Sequence, residues 1–433
     1  MEKVYKTYKK GDGFWFENVP QEWSYTNLNL LTDFIMGQAP HSSTYNQEGI
    51  GELFIKTGDF GLERPIPKWY TSNPLVYAKK EDVFMCVVGA TAGKVNLGID
   101  GTISRSIAAL RPRNKMKQKF LYYYLQCNYI RLNDMSEGSA QGIINKDILS
   151  SIKIPIPSKQ EQTQIAAYLD YHTQLIDNLI SKKETLIQKL QEQRQAIINE
   201  AVTKGLNKNE TLKDSGIGWL GKIPTNWRVT YLKRFTEKIT DGAHHSPKTE
   251  LEGKNYVSVK DVNEFGNIDL EGCKKISDDD FEILVRNGCQ PDIGDVLLTK
   301  DGTIGRAAVV QNNDFVILSS LGLIRPKKEI LNENYLRYFL ISGLNVTQMY
   351  SVIAGAALTR LTIEKIKHLV ITLPPLEEQI KIASTLDKTI YQMDLVIRKI
   401  KTSVKKLKAY RQSLISEAVT GKIDVRDWQP KKQ

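Results

Sequence analysis

Apolar residues recur in steps of four and three along two stretches of the chain. The first set is Ile165, Leu169, His172, Ile176, Leu179, Lys183, Leu186, Leu190, Gln193 and Ile197. The second is Ile382, Leu386, Thr389, Met393, Val396, Ile400, Ser403, Leu407, Tyr410 and Leu414. This is the a/d rhythm of a heptad, and no Gly or Pro interrupts it, so each stretch predicts one long helix. So narrow a stripe stays half-solvated on a lone helix and calls for a partner. Forty-odd residues at about 1.5 Å each make a rod of roughly 65 Å.

The two stretches are copies of one another. Residues 157–203 match 374–420 at a constant offset of 217, with 20 of 47 positions identical. The simplest partner for each helix is therefore the other. Residues 160–200 hold four Lys/Arg against six Asp/Glu, and 377–417 hold nine against five, which suits a pair. An internal repeat sets the architecture.

The segments before the helices correspond more loosely. Val19-Pro20-Gln21-Glu22-Trp23 answers Ile223-Pro224-Thr225-Asn226-Trp227, and Glu81–Met85 answers Gly294–Leu298. Gly89–Lys94 answers Asp301–Arg306, Leu110-Arg111-Pro112 answers Ile324-Arg325-Pro326, and the run from Gly138 to Ile152 answers Gly355 to Leu369. Val83–Val88, Val296–Leu298 and Phe315–Leu318 predict strands; Phe120–Cys127 and Tyr335–Ile341 predict short helices. The expected fold is α+β: two similar domains separated by a long antiparallel two-helix coiled coil, with an internal pseudo-two-fold repeat. The expected boundaries are 1–156 and 206–373 for the domains, 157–205 for the first helix, and 374–433 for the second helix and tail.

Composition narrows the chemistry. Sixty Lys/Arg against 49 Asp/Glu give a net charge of +11, which favours a polyanionic partner. No apolar run reaches the ~18 residues of a membrane span, and MEKVYKTYKKGDG has no apolar signal region, so a cytoplasmic protein is expected. Cys86, Cys127, Cys273 and Cys289 never form C-x-x-C and read as reduced thiols, with no metal site.

Catalytic motifs are sought without success. Gly89–Lys94 has three residues between its glycines where a phosphate-binding loop has four, and Val95 where that loop has Ser or Thr. Asn73-Pro74-Leu75-Val76 lacks the second proline and the aromatic of an adenine methyltransferase. Asp241 with Glu252 and Lys254 only loosely imitates a nuclease set, and His244-His245 finds no third metal ligand at suitable spacing.

The plan of domain, helix, domain, helix resembles the specificity (S) subunit of type I restriction-modification systems, over essentially the whole chain. The most specific marks are Pro374-Pro375-Leu376-Glu377-Glu378-Gln379-Ile380 and the closing run from Ile415 to Arg426. Inside the domains, Gly37-Gln38-Ala39-Pro40, Asp241–Lys248 and Asp295–Gly305 are similar to segments of that family's target-recognition domains. The resemblance implies a non-catalytic scaffold on which each domain reads one half of a bipartite DNA site. It implies that the helices set the spacing and dock two methyltransferase (M) subunits, with restriction (R) subunits as possible further partners. No cofactor is expected on this chain; S-adenosylmethionine, ATP and Mg belong to the partners. The M-docking candidates are Pro157, Glu161, Gln162, Pro374, Glu378 and Gln379; the first copy departs from the pattern with Ser158-Lys159 where the second has Pro375-Leu376.

Base reading needs forked donors or amides, and phosphate contacts need cations or small hydroxyls. The DNA-binding candidates in the first domain are Gln38, His41, Ser43, Lys56, Lys94, Arg105 and Gln141. In the second they are His244, His245, Lys248, Lys260, Lys300, Arg306 and Arg360. Arg111 and Arg325, each beside a proline, suit a structural role. A self-contained nuclease or methyltransferase, and a coiled-coil adaptor with incidental charge, remain the alternatives.

Overall fold

The computed structural model describes residues 3–137, 142–244, 247–353 and 360–430. Gln141, His245 and the starts of the matched runs at Gly138 and Gly355 lie outside these. The chain divides into two compact units, Met1–Lys183 with Ser403–Gln433, and Glu184–Thr402.

In the first unit, β1 (Thr32–Met36), β2 (Val83–Cys86), β3 (Val95–Leu97) and β4 (Ile107–Pro112) form an antiparallel sheet of order β3-β2-β4-β1. The run Val83–Cys86 is apolar throughout because both of its faces are covered. Val83 and Met85 join a core with Phe120 and Leu121, while Phe84 and Cys86 join one with Ile55 and Ile103. A second sheet of five short strands includes Glu52–Ile55 and Gly101–Ile103, paired in parallel.

The second unit repeats this. β5 (Thr236–Asp241), β6 (Val296–Thr299), β7 (Ala307–Val309) and β8 (Leu321–Pro326) take the order β5-β8-β6-β7. Lys254–Val257 and Phe315–Ile317 are its parallel pair. In both units the central strand is pinned by a bidentate ion pair between a buried aspartate and a partly buried arginine. Arg111 meets Asp82 at 2.7 and 2.9 Å, and Arg325 meets Asp295 at 2.8 and 2.8 Å, which raises both guanidinium pKa values. This gives the two arginines the structural role read from the sequence.

Four of the helices build the scaffold: α1 (Gln118–Cys127), α2 (Lys159–Lys204), α3 (Glu333–Ile341) and α4 (Leu376–Val419). Each unit holds part of α2 packed against part of α4. In the first, Ile176 and Ile180 share a core with Val404 and Leu414; in the second, Ile198 shares one with Ile382, Leu386 and Ile390. Numbering rises on one helix as it falls on the other: Asp177 pairs with Arg411, and Arg194 with Asp394. These are one contact made twice, since Asp177 and Arg194 become Asp394 and Arg411 at the offset of 217.

The predicted stripe is half right. Leu169, Ile176, Lys183 and Leu190 face inward or to the margin, but the alternate positions shift by one residue. Leu179 and Leu186 are 43% and 46% exposed, while Ile180 is 8%. In the second copy Val396 and Tyr410 are exposed where Ile397 is buried and Arg411 half-buried. Steps of four and three fit either phase. Thr173 is buried beside the Tyr123 hydroxyl of α1, 3.4 Å away, and returns its own hydroxyl to Leu169 O at 2.6 Å, so it needs no polar partner across the helices.

All four cysteines are free thiols. Burial pushes Cys127 up to about 12 and raises Cys273 and Cys289. Because the thiolate is the nucleophile, a maleimide or iodoacetamide at pH 8 is expected to label the folded chain far more slowly than the urea-unfolded chain. A fast stoichiometric label before unfolding would contradict this burial.

Candidate nucleic-acid interface

The first unit carries a cleft of about 630 Å³ whose lining includes Tyr45, Lys56, Lys68, Trp69, Ser104 and Arg105. Lys56 Nζ lies 4.0 Å from the Trp69 ring centre and 4.5 Å from that of Tyr45, which stacks on Phe54 at 4.8 Å. The aromatic faces hold the ammonium in place without neutralising it. Arg105 is exposed and has no hydrogen bond or ion pair among the described residues. Gln38 is exposed beside Ala39 of this lining, and its N–H donates to Ile103 O at 3.1 Å. His41 and Ser43 join each other at 2.8 Å in the turn leading to Tyr45. The cleft thus brings Lys56 and Arg105 together and adds Tyr45, Lys68 and Trp69. Sequence reading missed those three because the sheet, not the spacing, assembles them.

The second unit carries a chain of ion pairs. Lys300 Nζ stands 3.3 Å from Asp241 Oδ2 and 3.3 Å from Asp301 Oδ2. His244 Nε2 reaches Asp241 Oδ1 at 3.2 Å, and Arg360 Nε reaches Asp301 Oδ1 at 3.2 Å. Lys300 corrects the sequence reading, which set it on the surface: it is 1% exposed and its charge is satisfied inside the protein. His244 and Arg360 are exposed at the two ends. Lys248 and Lys260 are exposed elsewhere on this unit.

Lys94 and Arg306 turn out to be equivalent staples. Lys94 Nζ donates to Phe60 O at 3.4 Å and Arg306 Nη1 to Val262 O at 3.1 Å. They close hairpins, β2 to β3 and β6 to β7, in which Gly93 and Gly305 have φ of 90° and 95°. A phosphate-binding loop opens onto a helix N-terminus; these loops join two antiparallel strands. The nuclease-like set is not assembled either: Asp241 is engaged by Lys300 and His244, and Lys254 by Asp278 at 3.9 Å. Among the described residues no three His, Cys, Asp or Glu side chains are grouped to hold a metal ion, and no helix is long and apolar enough to cross a membrane.

The docking candidates at the helix starts face inward. Gln162 is buried; its Oε1 accepts from Lys117 N at 2.8 Å, and its Nε2 donates to Lys115 O and Pro157 O at 2.9 and 3.0 Å. Gln379 repeats this with Asn332 N, Ile330 O and Pro374 O, each at 2.9 Å. Glu161 accepts from Tyr5 Oη at 2.6 Å and Glu378 from Trp227 Nε1 at 3.1 Å. Pro157 and Pro374 are buried. Five of these six are interior, and only Glu378 is half-exposed. They anchor each long helix to its own domain, which a polar residue next to a proline does not reveal in sequence.

An α+β domain seated on a long helix, built twice with different cationic surfaces, defines a repeated-module scaffold. The family model described as type I restriction modification DNA specificity domain matches residues 20–189 and 224–406. The chain therefore belongs to the specificity (S) subunit family of type I restriction-modification systems. It is 25% identical to the type I restriction enzyme MjaVIII specificity subunit of Methanocaldococcus jannaschii, over 94% of this chain and 95% of the relative. It is 22% identical to the EcoBI specificity subunit of Escherichia coli, over 94% and 87%. A solved chain from work on complex assembly and conformational transition of the type I R-M system superposes with a TM-score of 0.69 at 16% identity, covering 94% of this chain and 99% of that one, and shows the same fold.

Proposed function

We propose that this chain recognises duplex DNA as two half-sites, one per α+β domain, and contributes no catalytic group of its own. The paired helices set the distance between the half-sites and dock two methyltransferase subunits. Those subunits methylate adenine and hold the S-adenosylmethionine. Restriction subunits, where they join, bring ATP and Mg. The observation that supports this reading is a scaffold repeated to the level of single hydrogen bonds under surfaces that differ. The Arg–Asp pins, the Gln staples and the interhelical Asp–Arg pair all occur twice. Among the described residues the aromatic-walled Lys56 cleft occurs only in the first unit, and the Lys300 network only in the second. Protein two-fold symmetry on DNA gives paired half-sites, and different loops let those half-sites differ.

Domain exchange tests it. Replacing residues 223–370 with the matching region of a relative, and assembling the chimera with its methyltransferase subunits, is expected to change one half of the methylated sequence and leave the other intact. Change in both halves would defeat the modular reading. Methyl transfer by the purified chain alone would defeat the non-catalytic one.

A further inference from the structure

The Lys300 network has an apolar counterpart in the first unit, position for position. Asp301 bridges Arg360 as Val88 bridges Ile143. Leu361 N donates to Lys300 O at 2.9 Å, as Ile144 N donates to Val87 O at 2.9 Å. Asp241 faces Gly322 on β8 as Met36 faces Ala108 on β4, and those partners face Leu298 and Met85 in turn. Thus Asp241, Lys300, Asp301 and Arg360 stand where Met36, Val87, Val88 and Ile143 stand in the first unit.

The comparison separates folding from function. Taking an ammonium and two carboxylates out of water costs free energy that their mutual attraction only partly returns, and an apolar set of similar size is often as stable or more so. The first unit shows this backbone closing over an apolar set. Folding alone therefore does not call for the charges of the second unit. What they do achieve is geometry. Lys300, held on both sides, fixes Asp241 and Asp301, and these hold His244 and Arg360 at the surface. Arg360 Nε lies 3.2 Å from Asp301 Oδ1 as an ion pair outside hydrogen-bond geometry, that oxygen being buried with no hydrogen-bond partner among the described residues, and no hydrogen bond to a described residue engages the terminal amino groups of Arg360. A guanidinium held by charge beside a carboxylate, with both amino groups unengaged, presents two parallel donors, the pattern that matches O6 and N7 of guanine in the major groove.

We propose that Arg360 is a guanine-reading residue of the second half-site and that Lys300, with Asp301, is its positioning residue. This deepens the half-site reading above and rests on it. In the first unit the same place is apolar, so the first half-site is read there by other chemistry.

The test uses the chain assembled with its methyltransferase subunits, after the target has been read from the host's methylated adenines. Each guanine of the second half-site is replaced in turn by 7-deazaguanine, which lacks the N7 acceptor. One replacement is expected to weaken wild-type binding about tenfold or more. That sensitivity should vanish in Arg360→Ala and in Lys300→Met. It should also vanish in Asp241→Met/Lys300→Val/Asp301→Val/Arg360→Ile, which copies the first unit and is expected to keep its melting temperature and its first-half-site discrimination. Arg360→Ala weakening binding to every duplex alike, with a shallower salt dependence, would make Arg360 a phosphate contact and overturn the proposal. A second half-site without guanine would overturn it too. If Lys300→Met melts early yet keeps the guanine sensitivity, Lys300 is structural and the positioning claim falls. A wild-type complex indifferent to the whole second half-site would sink the half-site reading itself, and this inference with it.

Discussion

Asp82→Ala is expected to destabilise the first unit by about 3 kcal/mol, the low end of the range for breaking a buried ion pair from one side, because water reaches part of Arg111. Asp82 is fully buried and holds Arg111 through two hydrogen bonds while accepting a third from Lys79 N at 2.8 Å. Its removal strands all three donors at the end of β2. The equivalent Asp295→Ala is expected to cost less, about 2–3 kcal/mol, because Arg325 keeps a second partner, Asp292, at 2.6 Å. The first unit has Lys79 at that place, and of the carboxylates near Arg111, Asp33 is ion-paired with Arg113 while neither it nor Glu81 makes a direct ion pair with Arg111 among the described residues. For a unit of about 200 residues, 3 kcal/mol corresponds to a fall of roughly 6–12 °C in Tm. Urea and thermal unfolding of the two variants check the order. Equal losses, or a loss below about 1 kcal/mol at Asp82, would mean that the pins do not hold the sheets as the geometry says.

Gln379→Leu is expected to cost about 1–3 kcal/mol, since it keeps the bulk but strips the partly buried Asn332 N–H and Ile330 carbonyl and the buried Pro374 carbonyl of their partner. Gln162→Leu should behave alike in the first unit. The measurement is again unfolding, now paired with M-subunit binding below the melting range. The geometry predicts lost stability with binding unchanged per folded molecule. Lost binding at wild-type stability would return these glutamines to the docking surface.

The sequence made the large plan legible because the repeat is periodic and local. The helices appear as Lys159–Lys204 and Leu376–Val419, close to the stretches marked by the heptad rhythm, and the apolar runs at Val83 and Val296 are strands. The phase of the stripe was not legible: both phases place apolar residues inward, and the fold buries Ile180 while exposing Leu179. The candidate interface was legible in its cations and not in what holds them. Lys56 and Arg105 were found as basic residues in divergent loops, but Trp69 and Tyr45 come beside Lys56 only when the strands pair. Lys300 looked like a surface cation because nothing local announces that Asp241, some sixty residues earlier, closes over it. The glutamines at the helix starts looked exposed for the same reason: their partners lie on another segment.

Arg411 grips Asp177 with two hydrogen bonds, at 2.8 and 3.1 Å, where water reaches both. Arg194 grips Asp394 with one, at 3.0 Å, with both side chains nearly buried, and burial raises the Asp394 pKa. Mobile ions screen the first pair and scarcely touch the second. Rising ionic strength therefore loosens the twin clasps unequally, so a molecule duplicated in its letters has a brine-sensitive end and a brine-indifferent one.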